Sequence, residues 1–104
     1  MSYARIIVAA ALLGCVTMYC ADAPTTYKSK CQGCHAKDGS GDTAMGKKLK
    51  AHDFKSLGVV KATDVELIAI IKKGKNKMPA YAAKLTDDQI KDLVKYIHML
   101  AKPE

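Results

Sequence analysis

The chain predicts an all-α fold in which three or four short helices are joined by long loops. Three observations carry this. Two late segments place apolar residues at helical spacing behind capping pairs, Thr63/Glu66 and Thr86/Gln89. No run alternates and no hairpin dipeptide occurs, and the only β-branched runs lie in the leader or within these helical segments. Between them and the N-terminal part lies the glycine-containing stretch from Ala36 to Ala62, which shows no sustained period.

The first element is a leader. Arg5 precedes the uncharged run from Ile6 to Ala21, the pattern of a secretory signal. The run is shorter than the ~20 residues of a membrane span and is broken by Gly14, Thr17 and Tyr19. Ala21-Asp22-Ala23 has the small-x-small form of a cleavage site, with Pro24 after it, whereas Leu12-Leu13-Gly14-Cys15 resembles the bacterial lipobox. Residues 1–23 are therefore read as a signal, cut after Ala23 or before Cys15, and residues 24–104 as the working domain. Export to the periplasm is expected, with lipid on Cys15 or an uncleaved signal as the routes to a membrane.

The second element, "PTTYKSKCQGCH", reads as one short helix capped by Thr25 or Thr26, with Tyr27 and Cys31 on one face. The Ala36–Ala62 stretch follows, holding Gly39, Gly41, Gly46 and Gly58. Structureless loops of such length are uncommon in compact domains, so the stretch is expected either to be disordered or to take its order from packing on something other than protein. Thr63 opens a helix in which Leu67, Ile68 and Ile71 share a face, and Gly74 stops it. Thr86 opens the last helix, whose Ile90, Leu93, Val94, Ile97 and Leu100 form one apolar stripe ending before Pro103.

Composition narrows the function. The formal net charge is +7, and the basic residues are lysines apart from Arg5 in the leader. Export, the lack of arginine in the mature part and the scarcity of aromatics argue against nucleic acid and for a partner with an acidic face. The 81 residues from Pro24 onward contain no tryptophan and one phenylalanine, Phe54. A domain of this size buries only about 60–65% of its unfolded surface, and small exported domains usually add disulfides or a cofactor.

Cys31, Cys34 and His35 offer the chemistry. A zinc site needs a second ligand pair, and His52 and His98 stand isolated. A thioredoxin-type dithiol wants strands around it, and a plain disulfide leaves His35 without a role. C-x-x-C-H is the attachment sequence of c-type haem: two thiols one helical step apart can add to neighbouring vinyl groups, and the next residue, His35, supplies a neutral imidazole nitrogen to iron. Met78 stands in a loop where Pro79 favours an extended backbone. Pattern alone leaves it open between a core side chain and a ligand.

Tyr27, "CQGCH", the glycine-rich loop, the helix, Met78-Pro79 and a C-terminal helix with Tyr96 together resemble the short bacterial class I c-type cytochromes over the whole mature chain. The resemblance implies a cytochrome c-like fold around one haem c, covalent through Cys31 and Cys34. It also implies iron ligation by His35 and by the sulfur of Met78. Met45 and Met99 are read instead as gap-filling and core residues. Relatives often carry proline where Lys47 follows Gly46 here, which leaves the acceptor for the second His35 nitrogen unassigned.

Iron held on both faces leaves no position for substrate. The expected role is therefore a monomeric one-electron carrier and not an enzyme, with methionine ligation raising the potential. Lys72, Lys73, Lys75 and Lys77, with Lys28, Lys30, Lys47, Lys48 and Lys50, are candidates for docking an acidic redox partner such as an oxidase, reductase or dehydrogenase. The alternatives are a fixed haem subunit of an oxidase or dehydrogenase, and a haem sensor or peroxidase with a labile Met78 bond.

Overall fold

A computed structural model describes residues 22–102, so the expected leader up to Ala21 lies outside the described residues. Six helices follow in order: α1 (Ala23–Lys30), α2 (Gln32–His35), α3 (Ala44–Leu49), α4 (Leu57–Val60), α5 (Asp64–Lys73) and α6 (Asp87–Ala101). The all-α class is as expected. The count is higher because the glycine-rich stretch holds α3 and α4, and because the expected first helix is two. Among the described residues the sole β feature is an isolated bridge between Lys75 and Met78.

The cap of α1 differs from the expectation. Asp22, not Thr25 or Thr26, holds the N-cap, and its carboxylate accepts from the Thr25 amide at 2.9 Å. The Thr25 side chain, and then that amide bond, hold the Asp22 carboxyl below its usual range. Pro24 sits in the first turn, where its missing N–H costs nothing. Thr26 and Tyr27 turn inward instead of capping. The helix is interrupted at Cys31 (φ −117°, ψ −37°), and α2 resumes with the second cysteine and the histidine.

α5 starts at Thr63, whose hydroxyl accepts from the Glu66 amide at 3.2 Å. α6 closes both halves of its box: the Gln89 amide donates to the Thr86 hydroxyl at 3.1 Å and the Thr86 amide to the Gln89 side chain at 2.8 Å. The α6 stripe is the centre of the core. Ile90 and Leu93 are 0% exposed, Val94 1% and Ile97 7%, packed with Tyr27, Phe54, Leu67, Ile71 and Leu85. Both α1 and α5 lie against α6, and Tyr27 meets Tyr96 of α6 at 5.2 Å between ring centroids. Met99 departs from its expected core role: the stripe turns it outward, 64% exposed. The Lys30 end of α1 and the C-terminal part of α5 are linked through Tyr81, whose hydroxyl donates to the Lys30 carbonyl and whose amide donates to that of Ile71.

Candidate functional site

The α1–α2 junction carries three of the expected site residues. Cys31 and Cys34 are half-buried and unbridged. Burial, then the neighbouring Cys34, pushes the Cys31 thiol up to about 11. The Thr43 hydroxyl fastens the junction to α3: it donates to the Gly33 carbonyl at 2.8 Å, lies 3.3 Å from that of Cys34, and accepts from the Gly46 amide at 2.8 Å. Gly46 must be bare there, because a Cβ would collide with the Cys34 and Gly41 carbonyl oxygens. This explains a glycine inside a helix, where it normally weakens the element.

His35 is held on several sides. Its Nδ1 faces the His52 carbonyl oxygen at 3.4 Å, a long contact with the geometry of a weak hydrogen bond. That carbonyl is the acceptor the sequence leaves unassigned. The imidazole stacks on Phe54 with centroids 4.8 Å apart and planes 30° from parallel. Burial holds His35 below its usual value, so the ring stays neutral and keeps a nitrogen lone pair. Ala36 follows at φ 66°, ψ 165°, and its carbonyl accepts from the buried Tyr27 hydroxyl at 2.5 Å.

Met78 stands at the end of a tight turn. The Met78 amide donates to the Lys75 carbonyl at 2.9 Å and the Lys75 amide to that of Met78 at 3.2 Å, with Asn76 at φ 53°. Gly74 (φ 73°, ψ 170°) ends α5, as its position in the sequence predicts. The amides of Tyr81 and Ala82 donate back to the Ile71 and Lys72 carbonyls at 2.9 and 3.2 Å. The Tyr81 hydroxyl donates to the Lys30 carbonyl at 3.0 Å, tying this segment to the residue before Cys31. Burial raises the Tyr81 phenol, and Cys31 and Cys34 add to it, which places both thiols within electrostatic reach. Met78 is half-buried against the core.

The other candidates separate from this group. Met45 is 48% exposed on α3. His98 is engaged elsewhere, its Nε2 2.7 Å from Asp64 Oδ1. The His52 side chain is exposed and only its backbone serves the site. Lys72 pairs with Asp87 at 2.8 Å and Lys47 with Asp42 at 3.0 Å. Lys73, Lys75 and Lys77 are exposed beside Met78. Among the described residues no group of three or more His, Cys, Asp or Glu is placed to hold a metal ion.

Sequence reasoning missed Thr43, Phe54 and the His52 carbonyl as parts of the site. Phe54, the single phenylalanine, was the one with a signal to offer.

The donors fit a covalently held haem. Two thiols stand unbridged at the C-x-x-C spacing, a neutral imidazole has one nitrogen turned to a carbonyl, and a half-buried thioether stands in a loop tied to the same junction. A family model described as "Cytochrome C oxidase, cbb3-type, subunit III" matches residues 21–97. Cytochrome c6 of Synechococcus elongatus is 33% identical over 78 residues, covering 74% of this chain and 85% of that protein. The solved KustC0563 c-type cytochrome superposes with a TM-score of 0.71 at 30% identity, covering 79% of this chain and all of that one. Cytochrome c6 of the diatom Phaeodactylum tricornutum, at 23% identity, shares the fold with a TM-score of 0.56 over 78% of this chain and 95% of its own. The chain belongs to the c-type cytochromes and is a small class I monohaem electron carrier with one covalently attached haem c.

Proposed function

We propose that His35 and Met78 are the two axial ligands of the haem joined to Cys31 and Cys34, and that the protein passes single electrons between exported redox partners. The observation that carries this reading is the Tyr81–Lys30 hydrogen bond, which holds the Met78 loop against the residue preceding Cys31. When bound, the haem iron supplies a one-electron ferric/ferrous couple. His35 and Met78, both half-buried, would hold the iron from the chain's own side chains. With the same two donors kept in both oxidation states, little rearrangement would accompany the couple, which would favour fast outer-sphere transfer, and the two donors would leave no position for substrate. Thioether ligation and burial both favour the ferrous form.

The test is spectroscopic. The wild-type protein is expected to show a low-spin spectrum with a sulfur-to-iron charge-transfer band, and its ferrous form to resist carbon monoxide at neutral pH. Met78→Ala should lose the band and bind carbon monoxide. Wild-type protein that takes up carbon monoxide as readily as the variant would remove Met78 from iron, and would favour a sensor or peroxidase role.

The exposed Lys73, Lys75 and Lys77 beside Met78 suit docking to an acidic face. Electron-transfer rates with such a partner should fall steeply between about 10 mM and 200 mM salt. A flat profile would count against charge-guided docking. A second reading, a fixed subunit of an oxidase, is favoured by the description of the matching family model. Purification as a free monomer that reduces and reoxidises in solution would exclude it.

Export is part of the proposal. Cleavage after Ala23 would remove the Asp22 cap of α1, whereas processing at Cys15 keeps it. Processing upstream of Asp22 is therefore the version we propose, and the intact mass of the exported protein tests it.

A further inference from the structure

We propose that Phe54 is a positioning residue for the His35 imidazole: its ring is a fixed wall that sets the direction of the imidazole plane, and through it the properties of the haem. The inference rests on His35 being an axial ligand.

The wall is itself held on several sides. The Phe54 amide donates to the Gly39 carbonyl at 2.9 Å, which fixes the backbone. Gly39 (φ 78°) approaches the ring so closely that a Cβ there would stand 2.5 Å from Phe54 Cδ2. Tyr27 meets the ring edge-on, with centroids 6.2 Å apart and planes at 65°. Phe54 is 5% exposed, so the ring has little freedom to swing. Against it the imidazole lies at 4.8 Å and 30°.

Two further contacts explain why a wall is needed. The only polar partner of the His35 ring among the described residues, the His52 carbonyl, is 3.4 Å from Nδ1, too long to fix the ring by itself. His52 and Phe54 lie two residues apart in one segment, which the Ala51 amide fastens to the Gly46 carbonyl at 2.8 Å. One short stretch of chain thus offers the imidazole an acceptor at its edge and a face against its plane. A weak hydrogen bond donates little negative charge to the ring, so direction, more than basicity, is what this segment controls.

The experiment compares haem-loaded Phe54→Leu, Phe54→Tyr and Gly39→Ala with the wild type by proton NMR of the ferric form and by potentiometry. In ferric c-type haem the spread of the four ring-methyl shifts follows the direction of the axial imidazole plane. Leucine keeps apolar volume but has no flat face, so Phe54→Leu should change that spread and shift the reduction potential. Tyrosine restores the face and should return both to wild-type values. Gly39→Ala presses a Cβ onto the ring, at a φ of 78° that alanine enters at some cost. It should alter the spread as well, and it decides the matter if Phe54→Leu does not fold. A wild-type spread and potential in Phe54→Leu, or in Gly39→Ala where the leucine variant does not fold, would make Phe54 a core filler and overturn the inference. Absence of shifted imidazole protons from the wild-type spectrum would instead overturn His35 ligation itself.

Discussion

Replacing Gly74 with alanine tests how the backbone holds Met78. Gly74 has φ 73° and ψ 170°, a region that residues with a Cβ rarely enter, at a cost of about 1–3 kcal/mol. The Cβ would also stand 2.5 Å from the Met78 carbonyl oxygen and 3.0 Å from the Ala80 nitrogen, where ordinary contacts begin at 3.4 Å. The loop would have to retreat by almost an ångström. Alanine recovers about 0.4–1 kcal/mol by restricting the unfolded chain, so a net loss of about 1–2 kcal/mol remains. At about 4–8 °C per kcal/mol for a domain of this size, the midpoint should fall by about 5–15 °C. Gly58→Ala is the internal control. Gly58 lies within α4 with nothing within 4 Å of its Cβ position, so alanine there should be neutral or stabilising by up to about 1 kcal/mol. Thermal melts and the sulfur-to-iron band are followed together. Gly74→Ala should melt lower and show a weakened band, and Gly58→Ala should do neither. A Gly74→Ala protein with the midpoint and band of the wild type would refute the claim that Gly74 positions Met78.

Ala36→Gly should act in the opposite sense. Ala36 is held at φ 66°, ψ 165°, and glycine would relieve about 1–3 kcal/mol of strain against about 0.4–1 kcal/mol of added chain entropy and roughly 0.8 kcal/mol for the buried methyl. These leave a net change between about 1 kcal/mol of loss and about 2 kcal/mol of gain, so the midpoint should stay within a few degrees of the wild type or rise, and a fall of about 10 °C or more, the cost with no relief, would show that Ala36 is not strained. Acid should weaken the α5–α6 contact. The Lys72 side chain holds the Asp87 carboxyl below its ordinary value of 3.8. The unfolded state therefore binds the proton first. The stabilisation is fully present above the unfolded value and is lost as pH falls through the folded one. Denaturant melts of wild type and Asp87→Asn from about pH 5 to pH 2 should converge. A difference that stays constant over that range would remove the pair from the stability balance.

What was legible in the sequence followed the length of each signal. In α5 and α6 the caps, the apolar spacing and the stop coincide, and both helices form where they were expected. α3 and α4 span six and four residues, too few for a helical period to show, although Thr43 caps α3 through the Gly46 amide. The cap of α1 was misplaced for another reason. Reading Ala23 as the end of a leader hides Asp22, although Pro24, a first-turn residue by preference, follows two residues later. Cys31, Cys34 and His35 were legible because their spacing is the chemistry. The acceptor for His35 was not, since every residue carries a carbonyl and only the folded loop decides that His52 presents the one in reach.

The conformations that local sequence rules disfavour are not scattered. Among the described residues, positive φ occurs at Ala36, Gly39, Gly41, Lys50, Gly74 and Asn76. Four of these lie between His35 and the segment that carries its acceptor and its wall, and two lie just before Met78. The core stripe on α6 and the helices packed on it contain none. The chain thus separates two tasks. Apolar burial on α6 sets the frame, while backbone turned away from ordinary geometry aims the two iron-binding side chains we propose. Substitutions on the α6 stripe should therefore lower stability more than they move the spectrum, whereas adding a Cβ at the turn glycines should do both. This is the pattern expected where a fold departs from local preference in order to hold a site.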